Sequence, residues 1–151
     1  PNSYEKGSWV LHMLRRKLGD TIFWNGIKLY YTTYSGKNAS TKDFGQCMES
    51  VSKTNLNAFF KEWLYTAGNP QLDISWKYDE VKKILSVTVL QQQIGPFFTF
   101  PLELAINNDR KIIQVNGMVS KADFSLKSKP EIFIADPDTN LLFEGSVREE
   151  K

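Results

Sequence analysis

The spacing of the apolar residues changes at Gly68-Asn69-Pro70-Gln71-Leu72-Asp73-Ile74-Ser75-Trp76-Lys77-Tyr78, and this stretch separates a helical part from a strand part. From Leu72 to Tyr78 every second side chain is apolar, which is the pattern of a strand with one buried face. Before Gly68 the apolar residues recur at intervals of three and four, as they do on one face of a helix. A glycine followed closely by a proline is typical of the end of a helix. We therefore predict two domains, 1–71 and 72–151.

The first part predicts about four helices. Residues 4–18 carry an apolar stripe that stops at Gly19, and Asp20 is placed to cap a second helix. Ser40 and Asp43 form a Ser-x-x-Asp capping pattern before the third helix, and Asn55 is placed to cap the fourth. The stripes predict the following buried residues: Gly7, Val10, Leu11, Leu14, Leu18, Phe23, Ile27, Tyr30, Tyr34, Phe44, Cys47, Met48, Val51, Leu56, Phe59, Phe60, Trp63 and Leu64.

The second part predicts about seven short strands. Alternating apolar residues recur after Tyr78 and are interrupted by turn signals such as Gly95-Pro96. Several short strands at this spacing indicate an antiparallel β-sandwich. The predicted fold class is therefore α+β, with an N-terminal all-helical lobe followed by the sandwich. The apolar pieces of the predicted strands are 72–78, 85–89, 98–106, 113–115, 124–126, 132–134 and 141–143.

Composition excludes several classes of protein. A chain of 151 residues, 41% of them hydrophobic, can bury on the order of 68 to 70% of its unfolded surface. The chain contains 19 Lys and Arg residues and 17 Asp and Glu residues, and it has no extended basic tract. We therefore expect no nucleic-acid partner. No run approaches the roughly 18 apolar residues of a membrane span, so we expect no membrane partner. The sequence does not indicate a cellular compartment.

The residues that usually bind a catalytic metal are scarce in this chain. It has one histidine, His12, and one cysteine, Cys47. A hydrolytic zinc site takes about three protein ligands, so we expect no metal site built from this chain. We expect His12 at the surface or at a domain interface and Cys47 as a small buried group. A Ser/His/Asp triad is also excluded, because no Gly-x-Ser-x-Gly turn is present.

Aromatic residues leave two alternatives open. Tyr4 stands in the first turn of the first predicted helix. Its hydroxyl could be satisfied in a buried site, which is the commoner situation, or it could donate a hydrogen bond to a developing oxyanion in a cleft. Trp76, Tyr78 and Phe97 could bind a sugar on an exposed face of the sandwich. Trp76 and Tyr78 share the face of Leu72 and Ile74, so core packing is favoured for them.

Several motifs taken together resemble the aminopeptidase-N-type gluzincins, a family of zinc metallopeptidases. The resemblance is densest over residues 4–78, and beyond them it rests on Gln91-x-Gln93 and Phe100-Pro101-Leu102. The motifs in the first region are Tyr4-x-Lys6-Gly7, Val10-Leu11-His12-Met13-Leu14, Leu18-Gly19-Asp20, Phe23, Tyr30-Tyr31, Thr41-x-Asp43-Phe44 and Phe59-Phe60-x-x-Trp63-Leu64-x-x-x-Gly68-x-Pro70.

The resemblance implies a catalytic role for one residue. Tyr4 matches the tyrosine that stabilises the tetrahedral oxyanion during peptide hydrolysis in this family. Residues 1–71 would then be the C-terminal helical lobe of a thermolysin-like catalytic domain. The family's His-Glu-x-x-His helix, third zinc ligand, general base and Gly-x-Met-x-Asn strand would lie upstream. We therefore expect a fragment of a zinc aminopeptidase.

This interpretation also implies the partners of the chain. The upstream lobe of the same enzyme would pack against the helical part, and peptides would be the substrates of the complete enzyme. We expect the fragment alone to bind no catalytic zinc and to be inactive. Two other hypotheses stay open: a non-catalytic interaction scaffold of the same architecture, and an independent β-sandwich binding module.

Overall fold

The structure, a computed structural model, describes residues 3–150, with side chains from Tyr4 onward. It divides into two compact units, one ending at Ala67 and the other beginning at Gly68. The first unit is helical, and the second contains two β-sheets, so the predicted α+β class is confirmed. Within residues 3–150, none of the helices combines the length and the apolar character needed to cross a membrane.

Within residues 3–67, the helical unit contains four α-helical segments and one π-helix. The fourth predicted helix differs from the expectation, because a single α-turn passes into a π-helix that ends before Gly68. The segments are α1 (Ser3–Leu18), α2 (Asp20–Tyr34), α3 (Thr41–Ser52), α4 (Asn57–Phe60) and the π-helix (Lys61–Tyr65).

The starts of the helices confirm one of the three predicted caps. Ser40 and Asp43 form a complete capping box at the start of α3, and hydrogen bonds from Ser40 lower the pKa of Asp43. The predicted cap at Asn55 is wrong, because Leu56 occupies the N-cap position of α4 without a side-chain cap, and the Asn55 carboxamide accepts a hydrogen bond from the Asn57 N–H at 2.9 Å. The predicted cap at Asp20 is wrong. Gly19 occupies the capping position, and the Asp20 carboxylate instead accepts two hydrogen bonds from Arg15, at 2.8 and 2.7 Å.

The buried face of α1 is rotated from the predicted stripe. Val10, Met13 and Leu14 are buried, whereas Leu11 is 42% exposed. Gly7 and Leu18 are only half-buried. Residues three and four positions apart share a helix face, so Val10 lies on the same face as Met13 and Leu14. Met13 therefore takes the buried place on this face that was predicted for Leu11. On α3, Cys47 is buried as predicted, and this burial raises the pKa of its thiol.

Within residues 68–150, the second unit contains two sheets with seven strands in all. The first sheet has the order β5-β2-β1-β7 and the second the order β4-β3-β6. All pairs are antiparallel except β1 with β7, which run parallel. The strands are β1 (Gln71–Asp79), β2 (Ile84–Gln91), β3 (Phe100–Ile106), β4 (Asp109–Val115), β5 (Val119–Ser125), β6 (Phe133–Ala135) and β7 (Glu144–Glu149).

The last strand lies later in the chain than predicted. Leu141-Leu142-Phe143 is not a strand, although Leu142 is buried. The Asp136 carboxylate accepts hydrogen bonds from the N–H groups of Asn140 and Leu141, which hold this segment in a loop. The strand therefore begins at Glu144.

Alternating side chains of the two sheets form the core of the second unit. Leu72, Ile74 and Val89 from one sheet and Leu102 and Leu104 from the other are at most 1% exposed. Trp76 stacks on Phe133 with a centroid distance of 5.5 Å, and the Tyr78 hydroxyl donates a hydrogen bond to the Leu126 carbonyl at 3.2 Å. Both rings are thus engaged within the unit, as core packing requires.

Candidate functional site

Tyr4 lies in the first turn of α1 with 90% of its surface exposed. The interpretation of Tyr4 as a buried residue is therefore wrong. The Ser8 hydroxyl donates a hydrogen bond to the Tyr4 carbonyl at 3.1 Å, which ties the backbone of the first turn to the next one. The phenol ring itself is open to a ligand.

A groove of about 650 Å³ in the helical unit has Tyr4 among its lining residues. Its volume lies within the 300 to 1,000 Å³ range typical of ligand pockets. Among the described residues of its lining, the polar side-chain groups are hydroxyls, and there is neither a carboxylate nor an imidazole. The lining residues are Tyr4, Gly7, Ser8, Val10, Leu11, Tyr30, Ala39, Ser40, Thr41, Phe44, Phe60 and Leu64.

Aromatic rings from three helices form one side of this groove. Tyr30 of α2 meets Phe44 of α3 edge to face at 5.3 Å between centroids. Phe44 in turn lies 6.2 Å from Phe60 of α4. Edge-to-face pairs at these distances are the favoured arrangement for aromatic side chains. The groove can therefore hold an apolar group by contact, and acid–base chemistry there would need groups from elsewhere.

Lys6 connects the first turn of α1 to the end of the π-helix. Its ammonium donates a hydrogen bond of 2.6 Å to the carbonyl oxygen of Thr66. The side chain is partly buried, and this desolvation lowers the pKa of Lys6. Thr66 is fixed in turn, because its hydroxyl donates to the Lys61 carbonyl at 2.9 Å. The sequence predicted no separate role for Lys6, although its position two residues after Tyr4 is visible in the Tyr4-x-Lys6-Gly7 motif.

The described residues do not fit a catalytic zinc ion. His12 is half-buried on α1 with its ring edge-on to Trp9 at 5.6 Å. Among residues 3–150, no three His, Cys, Asp or Glu side chains lie close enough together to hold a metal. A hydrolytic zinc site takes about three protein ligands, so these residues do not supply one by themselves.

Comparison with known proteins shows that this chain is similar to segments of aminopeptidases. Residues 1–63 match the peptidase family M1 domain. Aminopeptidase N of Haemophilus influenzae is 32% identical over 140 residues, covering 86% of this chain and 16% of the relative. Aminopeptidase N of Escherichia coli is 32% identical over 89 residues, covering 59% of this chain and 10% of the relative.

A solved structure has the same fold. Legionella pneumophila aminopeptidase A, crystallised in complex with aspartic acid, superposes with a TM-score of 0.76 over 97% of this chain and 18% of that one. Sequence identity in this pair is 15%, so the match concerns the fold alone. The chain spans less than a fifth of the length of each of these three proteins.

The match over the helical unit and the similarity to these relatives define the class of the chain as a segment related to aminopeptidases. More particularly, the chain belongs to peptidase family M1. The resemblance inferred from the sequence motifs is thereby confirmed.

Proposed function

We propose that this chain is part of a zinc-dependent aminopeptidase that removes N-terminal residues from peptides, and that Tyr4 stabilises the oxyanion of the tetrahedral intermediate. The exposed position of Tyr4 at the groove, in a chain of the M1 family, is the observation that supports this role most directly. A tyrosine hydroxyl that is open to a ligand can donate a hydrogen bond to an oxygen as negative charge develops on it.

In this mechanism the chain contributes one hydrogen-bond donor, the Tyr4 hydroxyl, and the fold that positions it. The Tyr4 hydroxyl binds the carbonyl oxygen of the scissile bond more strongly in the tetrahedral state than in the planar one. Such differential binding lowers the barrier rather than the Michaelis constant. Removal of one donor of this kind typically costs about 2.7 to 4 kcal/mol of barrier, which is about 10² to 10³ in kcat.

The zinc ligands and the general base are assigned to polypeptide other than the described residues. This assignment is supported by the lack of a suitable ligand cluster within residues 3–150. The helical unit is then the C-terminal lobe of the catalytic domain, and the sandwich serves as a scaffold. Peptides are the substrates of the complete protein.

The test uses the full-length protein that carries this segment, with an aminoacyl p-nitroanilide as substrate. We expect Tyr4→Phe to lower kcat about 10²- to 10³-fold and to leave KM nearly unchanged. Tyr31→Phe is the matched control, because Tyr31 is also exposed, at 70%, but does not line the groove. A Tyr4→Phe protein with wild-type kcat would overturn the assigned role.

The same preparation distinguishes the scaffold hypothesis. If the wild-type protein folds but shows no aminopeptidase activity with zinc supplied in excess, the chain serves a non-catalytic protein. Active wild-type protein that loses its activity with a chelator and regains it with zinc supports the proposed enzyme.

A further inference from the structure

We propose that Lys6 is a positioning residue for Tyr4, holding the first turn of α1 in place through its bond to the carbonyl of Thr66. This role rests on the proposed function of Tyr4. It gives Lys6 a part in the reaction without any contact with the substrate.

The contact has the features of a strong hydrogen bond. The distance from Lys6 Nζ to the Thr66 oxygen is 2.6 Å, and the pair is partly buried. A hydrogen bond from a charged donor is shorter and about twice as strong as a neutral one. The carbonyl comes directly after the π-helix, where backbone oxygens carry partial negative charge that favours a cation.

Tyr4 needs such support because its own side chain receives little. With 90% of its surface exposed, the ring is not held by packing. The position of the Tyr4 hydroxyl therefore depends on what fixes the backbone of this turn.

Lys6 fixes it to a distant part of the same unit. Thr66 follows Lys6 by 60 residues, and the hydroxyl bond from Thr66 to Lys61 holds the receiving carbonyl against the π-helix. The Tyr4 backbone and the π-helix are thus joined by one side chain. A catalytic group displaced by about 1 Å can lose about 10² in rate, so a loose first turn would be costly.

The experiment compares Lys6→Met, Lys6→Arg and the control Lys17→Met in the full-length protein. Lys17 lies on the same helix, and it is exposed. We expect Lys6→Met to lower kcat by about 10- to 100-fold with KM within about twofold. Lys6→Arg should recover most of the rate because it restores a charged donor, and Lys17→Met should match the wild type.

A double-mutant cycle with Tyr4→Phe separates positioning from a general structural effect. If Lys6 acts through Tyr4, adding Lys6→Met to Tyr4→Phe lowers kcat by no more than about twofold further. An equal loss in both backgrounds, or wild-type kcat in Lys6→Met alone, would overturn the role of Lys6. Wild-type kcat in Tyr4→Phe would instead overturn the proposed function.

Thermal unfolding of each variant accompanies the kinetics. Should Lys6→Met lower the unfolding midpoint by more than about 5 °C, Lys6→Gln replaces it in the cycle, because the amide keeps a neutral donor. The criteria stay the same: a loss of rate that disappears in the Tyr4→Phe background supports positioning, and a loss that persists there contradicts it.

Discussion

Gln91 places a neutral amide in the core of the second unit, with only 2% of its surface exposed. Its nitrogen donates to the carbonyls of Phe98 and Gly117, both at 2.8 Å. Its oxygen accepts from the Phe98 N–H at 2.9 Å and from the Gln93 amide at 2.8 Å. A buried amide is tolerated when all its hydrogen bonds are made, and here they also hold the loop between β2 and β3.

We predict that Gln91→Leu lowers the free energy of unfolding by about 2 to 5 kcal/mol, because it removes the amide that pairs with backbone groups of Phe98 and Gly117. Urea unfolding followed by circular dichroism measures the change. Gln92→Leu is the matched control, since Gln92 is exposed, and its effect should stay within about 0.5 kcal/mol. Equal losses in the two variants would show that the amide network does not stabilise the unit.

At the scale of elements, β7 is held mainly by its backbone and by ion pairs of Arg148 with Asp73 and of Glu149 with Lys129. All six of its residues are exposed, and it pairs with β1 in a parallel register that sets Gly145 opposite Leu72. A Cβ atom at Gly145 would collide with the Leu72 carbonyl oxygen. Arg148 donates two hydrogen bonds to Asp73 on β1, at 3.1 and 3.0 Å. The close approach of the two strands therefore requires glycine at position 145.

We predict that Gly145→Ala loosens β7 while the other strands remain folded. Backbone atoms cannot move aside as a flexible side chain can, so the ladder must open locally. Hydrogen exchange should show faster exchange of the amides of β7 and of the β1 amides that face it. Ser146→Ala, one residue along the same exposed strand, should exchange like the wild type. Unchanged protection in Gly145→Ala would contradict the prediction.

The elements that the sequence predicts well are those with strong periodicity or a clear cap. Ser40 and Asp43 were sufficient to locate the start of α3, and alternation located β1. The spacing of Phe59, Phe60, Trp63 and Leu64 suits an α-helix and gives no sign of a π-helix. β7 was missed because an entirely exposed strand shows no alternation, and its partner is chosen by tertiary pairing.

The candidate site was predictable only in part, for the same physical reason. Tyr4 was identified from the Tyr4-x-Lys6-Gly7 motif. A motif can indicate a chemical role, whereas the spacing of apolar residues indicates only secondary structure and burial. The groove depends on Tyr30, Phe44 and Phe60 meeting from three helices, and no local pattern specifies such a meeting. The Lys6 bond to Thr66 spans 60 residues and is likewise a product of the folded unit.

At the scale of the whole molecule, the described residues offer few of the groups that a metal-dependent hydrolase uses. Its described titratable side chains form no group able to hold a metal ion. The groove supplies hydroxyl and apolar groups but no carboxylate. Under the proposed function, the chain therefore supplies a hydrogen-bond donor, Tyr4, and the contact of Lys6 that positions it.

We predict that the purified chain 1–151 binds no stoichiometric zinc and releases no amino acid from a peptide, because about three ligands are needed and the described residues contain no such cluster around His12 or elsewhere. Mass spectrometry of the metal content after dialysis against zinc measures the first quantity, and a p-nitroanilide assay the second. The full-length protein serves as the positive control. One zinc per chain that is lost in His12→Ala would contradict the prediction.

The parallel pairing of β1 with β7 also has a mechanical consequence. Gln71 begins one strand beside Glu144, which begins the other, so the start of β1 and the end of β7 lie at opposite ends of this strand pair. A force applied through those ends would pull the two strands along their length and load their hydrogen bonds together in shear. We expect the unit to resist stretching more strongly than a unit whose terminal strands peel apart one bond at a time, and single-molecule force spectroscopy would show a rupture peak that Gly145→Ala lowers.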